Sequence, residues 1–323
     1  MKKLIKYALS LAVIFLFITC SDQEHTQTEQ PLPSNTTQDF PQFISVLGIA
    51  QDAGYPQAAC KKTCCKQVAL EDEKKVSCLG IFDQSFGKYW LLDASPDLGA
   101  QMKMASKLVH KNNNIPAGIF LTHAHIGHYT GLMEFGREVI GAKSLDVFAM
   151  PKMKNFLENN GPWSQLVKLQ NIKINALSAD QEVVLKEHLK VTPFLVPHRD
   201  EFSETVGYLV HGQKKKVLFI PDIDKWEKWD RDIIEEIEKV DYAFLDGTFF
   251  QNGEIWGRDM SKIPHPFIKE SMAKFKNLSK KEKAKIYFIH FNHTNPLLQE
   301  GAERKQVMRA GYQIAEEGMI IEI

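Results

Sequence analysis

Residues 118–131 read Gly118-Ile119-Phe120-Leu121-Thr122-His123-Ala124-His125-Ile126-Gly127-His128-Tyr129-Thr130-Gly131, and this stretch decides the fold. An apolar run ends in three histidines within six residues, and a glycine that can open a helix follows. Two histidines at i and i+2 leaving a strand end can face one point. A third, near a helix start, can close on that point from another direction. Neutral imidazole is the commonest side-chain ligand for zinc or iron, so His123, His125 and His128 are expected to bind metal.

Further candidates follow other predicted strands. His198 comes after the run 194–197, Asp222 after 217–220 in Ile220-Pro221-Asp222-Ile223-Asp224, and His290 after 285–289. An Asp in such a place is commonly a turn or cap residue. With the histidine cluster, the three become a convergent ligand set.

Working outward, the body of the chain alternates apolar runs with helical patterns. Strands are predicted at 43–49, 76–82, 89–92, 115–121, 145–150, 172–177, 189–196, 205–210, 216–220, 242–245, 286–289 and 319–323. Helices are predicted from Ser95-Pro96 to about His110, and at 131–140, 225–240, 266–276 and 302–317. Pro at a first helical turn suits a helix start. Strands outnumber helices and many form short hairpins, which favours two packed sheets with helices outside over one doubly wound sheet.

These residues resemble the metallo-β-lactamase superfamily over about residues 43–323. The resemblance implies an α/β (α+β) αββα sandwich of two packed mixed sheets with outer helices, binding one or two metals at the sheet edges. Its pattern of His-x-His-x-Asp-His, a later His, a bridging Asp and a final His maps onto His123, His125, His128, His198, Asp222 and His290. The most similar branch is that of the coenzyme PQQ synthesis B proteins, with phosphodiesterases and tRNA 3′-processing nucleases related to it. The segments 46–57, Asp246-Gly247-Thr248 and 289–296 carry that likeness.

Gly127 departs from the pattern, standing where the superfamily has Asp. Three outcomes are open: a single metal, a substitute acid, or loss of hydrolysis. Asp52, in Gln51-Asp52-Ala53-Gly54, is the candidate substitute; its plainer reading is a turn residue. Asp222 would bridge metals or orient water. His265, between Pro264 and Pro266, stands where the related nucleases have a proton donor, and its plainer reading is a loop residue held by two prolines.

Cys60, Cys64 and Cys65 form a second cluster. In the resembled branch a Cys-rich loop here binds a structural zinc, with His293 as an available fourth ligand; the alternatives are a disulfide from Cys60 to Cys64 or Cys65, or free thiols. Cys78, in an apolar strand, is expected in the core.

The N-terminus reads as a targeting segment. Lys2, Lys3 and Lys6 precede an apolar stretch at 8–18, shorter than the ~20 residues that span a bilayer. Cys20 follows directly, so 1–19 is expected to be a lipoprotein signal, Cys20 the lipidated residue, 20–40 a flexible tether and 41–323 the folded domain. Export to a membrane surface follows.

The chain has 323 residues and balances 40 basic against 40 acidic side chains; from Cys20 onward it carries 37 against 40, a net charge of −3. No nucleic-acid partner is expected from such a balance. The apolar fraction of 44% excludes a disordered chain. The function expected is metal-dependent hydrolysis of a small ester or phosphodiester, with zinc as the metal and iron as the alternative. A branch-like role in PQQ synthesis with oxidative metal chemistry is the second reading. A non-catalytic tethered binding protein is the third, and the retention of all six ligands argues against it.

Overall fold

The computed structural model describes residues 40–109 and 114–323. The predicted signal at 1–19, Cys20, nearly all of the tether and His110 lie outside the described residues; the helix predicted from Ser95-Pro96 to His110 runs only over Leu98–Ser106. The described residues form one compact unit.

Two seven-stranded sheets make the core. The first runs β14-β1-β2-β3-β4-β5-β6, with β1 Gln42–Gly48, β2 Cys78–Asp83, β3 Lys88–Leu92, β4 Gly118–Phe120, β5 Leu145–Ala149, β6 Ile172–Ala176 and β14 Ile320–Glu322. The second runs β13-β12-β11-β10-β9-β8-β7, with β7 Val183–Lys186, β8 Leu189–Leu195, β9 Val206–His211, β10 Lys216–Ile220, β11 Tyr242–Asp246, β12 Ile286–Ile289 and β13 Gln313–Ile314.

The central strands are apolar throughout because both faces are covered. In β3, Trp90 and Leu92 belong to the larger apolar core shared by the two sheets, whereas Tyr89 and Leu91 pack with the helices Leu98–Ser106 and Pro151–Asn159. Cys78 is fully buried in that outer layer, as expected. The αββα expectation therefore holds.

Parallel pairing positions the site. Strands β3, β4, β5 and β6 pair in parallel, as do β10, β11, β12 and β13. Their C-terminal ends therefore open on the same edge of each sheet, where neighbouring loops meet.

Several predicted helices are shorter. The 131–140 helix is a 3₁₀ segment, Thr130–Phe135, because the Gly131 N–H bonds the Ala94 carbonyl at 3.0 Å and Gly136 is extended. The 225–240 helix is split into Trp226–Lys228 and Ile233–Glu238. Between them Trp229 is extended and donates its indole N–H to the Leu195 carbonyl at 2.8 Å, and Asp232 caps the second piece. The 302–317 helix stops at Arg309: Gly311 takes a φ of +96° and the chain enters β13. Residues 151–170, where no element was predicted, form the helices Pro151–Asn159 and Trp163–Lys168. Among the described residues no helix is long and apolar enough to cross a membrane.

Candidate metal centre

Seven strand ends deliver polar side chains to one place. The chain leaving β1 brings Asp52, β3 brings Asp93, and β4 brings His123, His125 and His128. From the second sheet, β8 brings His198, β10 brings Asp222, β11 brings Asp246 and β12 brings His290. All six predicted metal ligands come together, and Asp52 and His265 join them.

The donors fall into two groups sharing an edge. His123, His125, His198 and Asp222 each offer one ligand atom, and these atoms lie within 4.8 Å of one another. The Asp222 Oδ2 is 3.3 Å from the Nε2 of both His123 and His198 and 3.9 Å from His125 Nδ1. Asp52, His128 and His290 form the second group within the same limit, with Asp52 Oδ1 3.5 Å from His128 Nε2.

Each of three rings is fixed by its other nitrogen. His128 Nδ1 meets Asp93 Oδ2 at 2.7 Å, His198 Nδ1 meets Asp224 Oδ1 at 3.2 Å, and His290 Nδ1 meets Thr248 Oγ1 at 2.9 Å. Such outer partners set the tautomer and aim the free nitrogen. The opposite Nε2 atoms of His128, His198 and His290, with Asp52 Oδ1, are buried and have no hydrogen-bond partner. Asp93 and His290 both sit at positive φ, +74° and +66°. Non-glycine residues rarely adopt that conformation, and it costs on the order of 1–3 kcal/mol where the surroundings impose it.

Carboxylates beside His128 and His198 favour the charged forms of those two rings. Burial pushes His128 down, but Asp93 and Asp52 beside it carry it up to about 10. Burial likewise opposes the charged form of His198, yet Asp222 and Asp224 hold it up at about 9. Burial holds His123 well below its ordinary value, with His128 adding to the effect. Burial opposes ionisation of Asp52, but His128 keeps its carboxyl well below the usual carboxylate range.

His265 lies between two carboxylates. Its Nδ1 is 2.9 Å from Asp246 Oδ2 and 3.1 Å from Asp222 Oδ1. Burial would lower it, but these neighbours hold it well above its ordinary value.

The segment 289–296 braces both groups. The Asn295 amide donates to the Gly247 carbonyl at 2.7 Å, steadying the turn that carries Thr248. The Asn292 amide donates to Gln51 Oε1 at 2.8 Å, and the Gln51 N–H donates to the Phe291 carbonyl at 2.8 Å, seating the Asp52 loop.

The beta-lactamase superfamily domain matches residues 89–291. The chain belongs to the beta-lactamase superfamily. Among its relatives, the coenzyme PQQ synthesis protein B of Gluconobacter oxydans is 26% identical over 297 residues, covering 85% of this chain and 97% of that protein. The structure of Zn(2+)-bound PqqB from Methylobacterium extorquens superposes with a TM-score of 0.71 at 21% identity, covering 87% of this chain and 100% of that one. A diphosphatase from the PhnP family superposes at 0.61 with 20% identity, covering 87% and 97%. This superfamily member therefore has the metallo-β-lactamase fold and is PqqB-like.

The cysteine cluster is separate. A one-turn helix, Thr63–Lys66, presents Cys64 and Cys65, and the preceding turn presents Cys60. Their sulfurs and one His293 nitrogen lie within 4.8 Å of one another, with all three thiols free. Burial pushes the Cys65 thiol up to about 12.

Asp93 and Thr248 were not foreseen as ring partners, nor was Asp224. Asp93 ends the apolar run Tyr89–Leu92, the same signal that marked Asp222. Asp224 stood in the quoted segment, but its target is set by tertiary contact.

Proposed function

We propose that this chain is a metal-dependent hydrolase of small esters or phosphodiesters. Its own ligands would be His123, His125, His128, His198, Asp222 and His290, holding one or two divalent metals, zinc first and iron as the alternative. One observation carries the reading: buried imidazole and carboxylate atoms without partners face one another while the opposite ring nitrogens are tied down. A buried polar atom left unpaired costs about 1–3 kcal/mol. Imidazole with carboxylate is a donor set that zinc accepts.

A bound divalent metal would supply Lewis acidity and bring its water to a pKa of about 7. The residues of the chain do the rest. Asp222, within 3.3 Å of His123 and His198, would orient the attacking water. Asp93, Asp224 and Thr248 hold His128, His198 and His290 in register. His265, held in its charged form by Asp246 and Asp222 at Nδ1, would give its Nε2 proton to the leaving oxygen, and the carboxylates would leave the neutral ring tied at Nδ1. Turnover of bis-p-nitrophenyl phosphate by the zinc-loaded protein tests this. Activity that survives His123→Ala would show that the site is wrong.

The relatives named for PQQ synthesis support a second reading, a role in the synthesis of that cofactor, which in this chain would call for oxidative chemistry at a mono-iron centre. Iron content with oxygen consumption, and no ester turnover, would replace the first reading with this one.

The cysteine cluster is assigned to a structural zinc held by Cys60, Cys64, Cys65 and His293. We also place the protein outside the cytoplasm as a lipoprotein anchored through Cys20, on the strength of the basic and apolar layout of 1–19. Mass spectrometry of the N-terminal peptide tests the anchor; an unmodified Cys20 overturns it.

A further inference from the structure

We propose that Asp52 takes over the ligand place left by Gly127, so that the histidine centre holds two metals. This rests on the metallohydrolase reading and sharpens it: the departure at position 127 becomes an exchange between two loops.

Three observations converge. A Cβ placed on Gly127 would lie 2.3 Å from Asp52 Oδ1 and 2.6 Å from Asp52 Cα. Side chains at 52 and 127 therefore compete for one space, and Asp52 occupies the place where a side chain on residue 127 would begin. Next, Asp52 Oδ1 is buried without a hydrogen-bond partner, 3.5 Å from His128 Nε2 and grouped with His290. Those two nitrogens are themselves buried and unpartnered. Finally, the loop is seated from both sides. The Gly54 N–H closes a turn onto the Gln51 carbonyl at 2.8 Å, while Gln51 bonds Phe291 and Asn292 on the segment that carries His290.

A plain turn residue would explain the Gly54 bond. It would not explain a carboxylate oxygen withdrawn from water and aimed at two imidazoles, since short polar residues at turn corners ordinarily bond their own backbone or solvent. An acid at 127 and an acid at 52 are alternatives that exclude each other on steric grounds. The chain has the pair Asp52 and Gly127.

Zinc content of the full chain, loaded and dialysed, tests the exchange. Cysteine-bound zinc is common to every variant and cancels in the difference. Asp52→Asn, which keeps the shape and removes the charge, is expected to hold one equivalent fewer than the wild type, with the second site weakened more than about tenfold. Gly127→Ala is expected to lose the same equivalent, because its methyl group displaces Asp52. The double variant Asp52→Gly with Gly127→Asp is expected to regain it. Should Gly127→Ala fail to fold, the isosteric Asn variant decides alone. An Asp52→Asn protein that binds as much zinc as the wild type, equally tightly, overturns the proposal. A wild type with no zinc beyond the cysteine cluster overturns the hydrolase reading beneath it as well.

Discussion

The histidine centre and the cysteine cluster each include one residue of the segment after β12, His290 in the first and His293 in the second, yet they are built in opposite ways. At the histidine centre His123, His128, His290 and Asp222 are buried, and three rings are tied by Asp93, Asp224 and Thr248 before any metal arrives. At the cysteine cluster Cys60, Cys64 and His293 are only partly buried, and the supporting helix is a single turn. The first site is held by the fold. The second sits on a one-turn helix and its flanking turn, and metal binding there would require the thiols to shed protons. A preorganised centre suits chemistry, where ligand geometry must be held closely. A clasp on a surface loop suits stability.

The comparison breaks most readily at Asp222. Asp222→Asn should lower kcat/KM at least about a thousandfold and strip metal from the histidine centre while leaving the cysteine cluster loaded. Steady-state kinetics with metal analysis checks both parts. His265→Ala should cost about a hundredfold in kcat, within the range for a positioned proton donor, with metal content unchanged. If the metal is lost too, His265 is a structural support.

Smaller effects sharpen the contrast. Asp93→Asn leaves the ring of His128 without its anionic partner and should weaken metal affinity about 10–100-fold. Competition with a chromophoric chelator reads this directly. His293→Asn should remove one zinc equivalent and lower Tm, because a metal bound only to the folded state adds to its stability. Its effect on kcat should be less than about tenfold, as befits a group outside the histidine centre. A larger loss would mean that the 289–296 segment transmits the state of one site to the other.

How much of this was legible follows from the range of each interaction. The six candidate ligands could be read because His198, Asp222 and His290 each stand at the end of an apolar run, and His123, His125 and His128 cluster after another. The two-sheet architecture could be read because central strands buried on both faces are continuously apolar. The outer partners could not: Asp93 meets His128 across 35 residues, and Thr248 meets His290 across 42. The helices Pro151–Asn159 and Trp163–Lys168 were missed because Pro151 and Pro162 look like breakers, whereas Pro151 stands at a helix's first turn. Strand β13 has only two residues and leaves almost no periodic signal. Asp52 was a candidate from its loop; only its contact with the space beside Gly127 makes it specific.

Anomalous scattering at the zinc edge, from crystals of the zinc-loaded protein, tests the central claim most directly. The account predicts strong peaks between His123, His198 and Asp222 and between Asp52, His128 and His290, apart from any peak at the cysteines. An empty histidine centre in a fully zinc-loaded crystal would contradict it.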